Sequence, residues 1–197
     1  MRKLLPLLLA AGFATCAISA DPTLAQDKDK KKEKAPYAPP DKLFPPSADV
    51  MKQIETKTVQ LAAKIEELRK NPKNVWLLPD VEIYLRGARN IVRFNEWFSK
   101  ASGQWTLDVL DRGIERADQL AAGKSPWTTL EKRNVLRAYR SSVDGTAQPY
   151  GVTYPLEYGK DPKRKWRVDI VLHGRNSSLT EVAFINSHNG KKKIDPA

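Results

Sequence analysis

Residues 167–176 read R-V-D-I-V-L-H-G-R-N. Within them Val168, Ile170, Val171 and Leu172 form a short apolar, mostly β-branched run that stops at a histidine and a glycine. Such a run suits a strand buried on both faces better than a helix. A strand of that kind needs covering layers, so it predicts an α/β architecture. The loop at the strand's C-terminal end, His173, Gly174 and Arg175, is then the natural site. The plainer reading is that Leu172-His173-Gly174 is a strand end and a turn.

The chain has 197 residues, but its start is expected to be removed. Arg2 and Lys3 precede residues 4–20, which are almost wholly apolar or small, and small-residue exits follow Ser19-Ala20 and Leu24-Ala25. This is the pattern of a secretory signal peptide over residues 1–25, and it implies an exported protein, periplasmic or extracellular. A membrane anchor is the alternative, but the run is short for a bilayer span and Pro6 interrupts it. No transmembrane segment is expected after cleavage. Cys16 is the only cysteine, so a mature chain without it has no disulfide and no thiolate metal site. A lipid-modified Cys16 is the other reading, which Phe13-Ala14-Thr15 fit poorly.

What remains suffices for one domain with a real core. With residues 1–25 gone the net charge falls from +11 to +10. An excess of this size can signal a phosphate-bearing partner. Here, however, Lys28 to Lys34 include Asp29 and Glu33, and Lys160 to Arg167 are interrupted by Asp161 and Pro162. No zinc-ligand set, stacking motif or basic recognition helix accompanies them, so no nucleic acid, metal or cofactor is expected. Solvated loops and adhesion to a wall or membrane surface account for the charge.

Residues 26–46 are Lys-rich and then Pro-rich (Pro36, Pro39, Pro40, Pro45, Pro46), the composition of an extended linker. Residues 47–125 read as helical. Ser47 is a good N-cap, and Met51, Ile54, Leu61, Ile65 and Leu68, with Thr58 in the missing step, form one stripe ending near Lys70. The stripe resembles a coiled-coil seam of about three heptads, with packing on the rest of the chain as the default. Asp80 is read as the cap of a second helix carrying Val81, Tyr84, Leu85, Ala88, Ile91, Val92 and Phe98. The aromatics Tyr84, Phe94, Trp97 and Phe98 are assigned to the core. Gly103 is read as a break. A third helix follows with Leu107, Leu110, Ile114, Ala117 and Leu120, stopping at Gly123. From Pro126 the period changes: a strand runs from Val135 to Val143, Asp144-Gly145 makes a turn, and Tyr150, Val152 and Tyr154 alternate on a second strand.

Residues 139–185 resemble the opening of an α/β-hydrolase core, in particular that of secreted prolyl-oligopeptidase-like and esterase-like members. The resemblance rests on the Asp144-Gly145 hairpin, the phrase Gln148-Pro149-Tyr150-Gly151-Val152, the proline that follows it, and the apolar strand ending in His173-Gly174. Arg112-Gly113-Ile114-Glu115-Arg116-Ala117 is similar to the helical leader of some of those hydrolases. The resemblance implies a helical cap region followed by the first strands of a hydrolase-type sheet in residues 126–197. It also implies that the N–H of Arg175 is one donor of an oxyanion hole.

Serine-hydrolase chemistry needs a nucleophile on a G-x-S-x-G turn, a histidine base and an acid. No such turn is present in this sequence. Ser177 and Ser178 lack flanking glycines and read as loop or cap hydroxyls, and His188 reads as a solvent-facing tail residue. No catalytic residue is therefore assigned beyond the possible oxyanion loop. The sheet read this way is incomplete, and its central strand has a free edge. Three functional readings stay open. One is an exported, inactive N-terminal fragment of a serine-hydrolase-like protein. Another is a complete non-enzymatic α+β module of the cell envelope. In the third, activity is recovered when a protein partner supplies the missing strands.

Overall fold

A computed structural model describes residues 38, 40–128, 134–172 and 178–188. The chain divides into residues 1–35 and 36–197, and every described residue belongs to the second unit. The expected signal segment with Cys16, the first part of the linker, and His173, Gly174, Arg175 and Ser177 lie outside the described residues.

The described residues form a mixed α/β unit of four α-helices and a two-stranded antiparallel sheet. Helix α1 spans Ala48–Arg69, and the Ser47 hydroxyl caps it by accepting from Val50 N. Its stripe of Ile54, Leu61, Ile65 and Leu68 is buried. The stripe packs along α3, Ser102–Ala121, so the seam is used within the chain. Lys57 with Asp111, and Lys64 with Asp118, tie the same two helices together at the surface.

Helix α2, Pro79–Arg93, is the centre of the unit. It touches α1, α3, both strands and α4, and buries Val81, Ile83, Tyr84, Leu85, Ala88 and Ile91. Side chains on successive turns face different neighbours, which explains burial around most of its circumference rather than on one stripe. It ends where Asn95 adopts φ 53°, so the chain break lies before Gly103, which sits inside the first turn of α3. Of the aromatics assigned to the core, Tyr84 and Trp97 are buried, whereas Phe94 is 56% exposed. Phe94 is the C-cap, one residue past the end of α2.

Strands β1, Asn134–Arg140, and β2, Ala147–Thr153, pair with Leu136 opposite Gly151 and Ala138 opposite Pro149. The connection turns at Gly145, whose φ of +69° favours glycine, while Asp144 accepts from the Thr146 amide and hydroxyl. Helix α4, Glu181–Ser187, is capped by Thr180 and drives Val182 and Ile185 into the core against α2 and α3.

Residues 168–172 correct the expectation of a doubly buried strand. Val168, Ile170, Val171 and Leu172 are 81–88% exposed and pair with neither β1 nor β2. Apolar β-branched composition favours an extended backbone, but burial requires a covering partner. Among the described residues no element covers this run. The chain reaches it through a tier of rings, Tyr154, Tyr158 and Trp166, with centroids 4.9 and 5.7 Å apart, and Arg164 lies over Trp166 at 4.0 Å.

Candidate functional site

Buried polar chemistry concentrates where α2, α3 and β1 meet. Asp80 lies in the first turn of α2, whose N-cap position, Leu78, makes no side-chain cap bond. The Asp80 side chain therefore turns inward instead of capping its own helix. It is fully buried and accepts from Trp127 Nε1 (2.9 Å), Arg137 Nε (2.9 Å) and the backbone N–H of Ala138 (2.6 Å). One charged and two neutral donors offset the cost of burying the carboxylate.

Arg116 of α3 is the second element of this junction. Its Nη1 donates to the carbonyls of Asp80 (3.2 Å) and Leu136 (3.0 Å), and its guanidinium lies between the rings of Tyr84 (5.1 Å) and Trp127 (4.9 Å). Burial lowers the Arg116 pKa, with the Tyr84 and Asp80 charges acting in the opposite direction. Burial also pushes the Tyr84 hydroxyl up to about 12.

The junction closes one edge of the hairpin. Among the outward groups of β1, the Ala138 N–H is taken by Asp80 and the Leu136 carbonyl by Arg116. No further strand can add at those positions. By the antiparallel register the partners Pro149 and Gly151 point their backbone groups off the opposite edge of β2. Pro149 brings no donor there, and Arg86 Nη1 takes the Ala147 carbonyl at 2.7 Å.

Glu82 joins Arg69 at the end of α1, at 2.7 Å, to Arg140 of β1. Glu181 of α4 accepts from Asn90 Nδ2 (2.8 Å). Its other oxygen lies 3.3 Å from Arg86 Nη1, in charge contact but not aligned as a hydrogen bond. Burial raises the Glu181 carboxyl above its ordinary range, while Arg86 and Asn90 oppose the shift and the Glu96 charge adds to it. A raised folded pKa means that the fold favours the protonated form. The associated stability is present below the unfolded carboxylate pKa, about 4.3, and is lost as pH rises through the folded value. The thermal midpoint of the natural chain minus that of Glu181→Gln is accordingly expected to fall between pH 4 and 7. A difference that rises over this interval would contradict the assignment.

None of these residues forms a serine-hydrolase centre. His188 is partly buried at the end of α4: its Nδ1 lies 2.9 Å from the Phe184 carbonyl, and its ring stacks on Phe184 with centroids 4.3 Å apart. Its edge rests on Gly151, where a Cβ would meet Nε2 at 2.7 Å. Ser187 Oγ, 3.0 Å from Nδ1, gives its proton to the Phe184 carbonyl, so the contact is a helix end and not a nucleophile and base. Among the described residues no three His, Cys, Asp or Glu side chains form a metal cluster, and no helix is long and apolar enough to cross a membrane.

Sequence reasoning does not reach the Asp80 junction, yet part of it leaves a trace. Arg116 falls in step with Val109, Gly113 and Leu120 on the buried side of α3, a cation inside an apolar stripe. No protein family, curated protein or solved structure matches this chain.

Proposed function

We propose that the chain is the exported N-terminal part of a serine-hydrolase-like α/β protein. In that protein it provides helical support and a hairpin rather than the reacting groups. By itself it turns over neither ester nor peptide. The observation that carries this reading is the exposed run of residues 168–172, whose alternate positions Val168, Ile170 and Leu172 are all apolar and fall on one face of an extended chain. Exposed apolar residues that contiguous mark a surface for a partner, and their period of two fits strand pairing. In the resemblance above, this is the strand that leads to the oxyanion loop.

One observation favours the second reading, a complete envelope-binding module: the Asp80 and Arg116 junction already closes the β1 edge of a packed core. Heating the purified chain under light scattering, beside Ile170→Lys, separates the two. Strand completion predicts that the natural chain associates through the run, and that the charge suppresses association without moving the unfolding midpoint. A soluble natural chain that unfolds reversibly, with the variant indistinguishable from it, would overturn the hydrolase-part reading. Labelling of the chain alone by a fluorophosphonate would overturn its inactivity.

A further inference from the structure

Among the described residues, Arg116 carries one positive charge more than its surroundings balance. It is 7% exposed, and its Nη1 donates to two neutral carbonyls. The Asp80 carboxylate is committed to Arg137, Trp127 and the Ala138 amide. Nearby, Arg112 is paired with Glu115 at 2.7 Å. The two ion pairs are neutral, and among the described residues Arg116 makes no ion pair of its own. A buried cation in this state is costly, and the two flanking rings offset only part of the cost.

Arg116 also borders a cleft. Arg112, Arg116 and Gln119 recur at steps of four and three, so they share one face of α3. The cleft is also lined by Trp127, by Asn134 at the start of β1 and by His188 at the end of α4. Asn134 Oδ1 accepts from Thr153 Oγ1 at 2.9 Å, and among the described residues its amide nitrogen has no acceptor. Glu115 holds Arg112 on one side and accepts from Gln119 Nε2 at 3.1 Å on the other, so among the described lining residues it is the anionic one. The chemical complement of two guanidinium groups, an amide donor and an aromatic wall is a small oxyanion.

We propose that this cleft, between α3, the Pro126–Thr128 turn and the start of β1, binds a carboxylate or phosphate group on Arg116 and Arg112. This site is independent of strand pairing at residues 168–172. Glu115 is a competing internal anion, so binding at the cleft requires Arg112 to share or exchange its partner.

The test is a two-dimensional NMR titration of the chain with inorganic phosphate and, separately, with acetate. Ionic strength is held constant with sodium chloride, and the Trp127 indole N–H and Asn134 side-chain amide are followed. A saturable shift is expected at both. Saturation by phosphate alone assigns a phosphate group, and saturation by acetate assigns a carboxylate. Glu115→Gln should tighten binding by about tenfold and Arg112→Gln should weaken it by about tenfold, the scale of one charge-assisted hydrogen bond. Both side chains are well exposed, at 51% and 36%, so neither variant threatens the core. Shifts that never saturate, or that sodium chloride alone reproduces, overturn the proposal. Dissociation constants that neither substitution changes also overturn it.

Discussion

Replacing Asp80 with Ala lowers the unfolding free energy by about 3–5 kcal/mol, the largest effect expected of any single substitution in this chain. The magnitude comes from what is left behind rather than from what is removed. Arg137 loses its carboxylate, and the Trp127 indole N–H and the Ala138 amide become buried donors without acceptors, each costing about 1–3 kcal/mol. The lost carboxylate's own desolvation cost is recovered, which keeps the total below the simple sum. Asp80→Asn should fall between, because its amide oxygen can still accept while its NH2 is set against a donor. Urea unfolding of the three proteins reads these values as shifts in midpoint at constant slope. A loss for Asp80→Ala below about 1 kcal/mol would mean that the α2, α3 and β1 junction does not hold the fold.

Gly113→Val is expected to cost about 3 kcal/mol, at the upper end for overpacking. A Cβ at residue 113 would stand 2.6 Å from Tyr84 Cβ and 2.7 Å from Leu61 Cδ2. Leu61 can give way at its tip, but Tyr84 Cβ is fixed to the α2 backbone, so relief requires α2 and α3 to move apart. At an exposed helix site the same glycine would be a weakness, and replacing it by Ala would gain up to about 1 kcal/mol of helix propensity. The crowding outweighs that gain. Gly113 is therefore where three helices approach, and a neutral or stabilising Gly113→Val would contradict the packing of α1, α2 and α3.

The two substitutions mark the boundary of what the sequence discloses. The stripe of Ile54, Leu61, Ile65 and Leu68, the Ser47 cap, the stop at Gly123 and the Asp144-Gly145 hairpin are local signals, and each stands where periodicity or turn chemistry places it. Local signals do not carry partners. Asp80 has the composition of an N-cap, but its acceptors' work lies with Trp127 and Ala138, 47 and 58 residues away. Helix α4 is seven residues long and buries two apolar side chains, too few turns for a period to stand out. His188 reads as tail because nothing local signals that Phe184 and Gly151 receive its ring.

The apolar run at 168–172 shows the same limit most plainly. Its composition states a preference for extended backbone and for burial, and only the first can be met without a partner. The candidate oxyanion residues His173, Gly174 and Arg175 follow it directly and lie outside the described residues. The functional reading therefore rests on whether the run is an unpaired strand.

Amide hydrogen exchange of the dilute, monomeric chain tests that most directly, followed by peptide mass. The account predicts that amides of Arg137 and Ala138, held by β2 and Asp80, exchange only with global unfolding. Those of Val168, Ile170, Val171 and Leu172 should exchange at unprotected rates and gain protection only when a partner or a second copy binds. Protection of residues 168–172 in the monomer to the same level as Ala138 would contradict the account, because the run would then be paired already and the unit would need no strand from elsewhere.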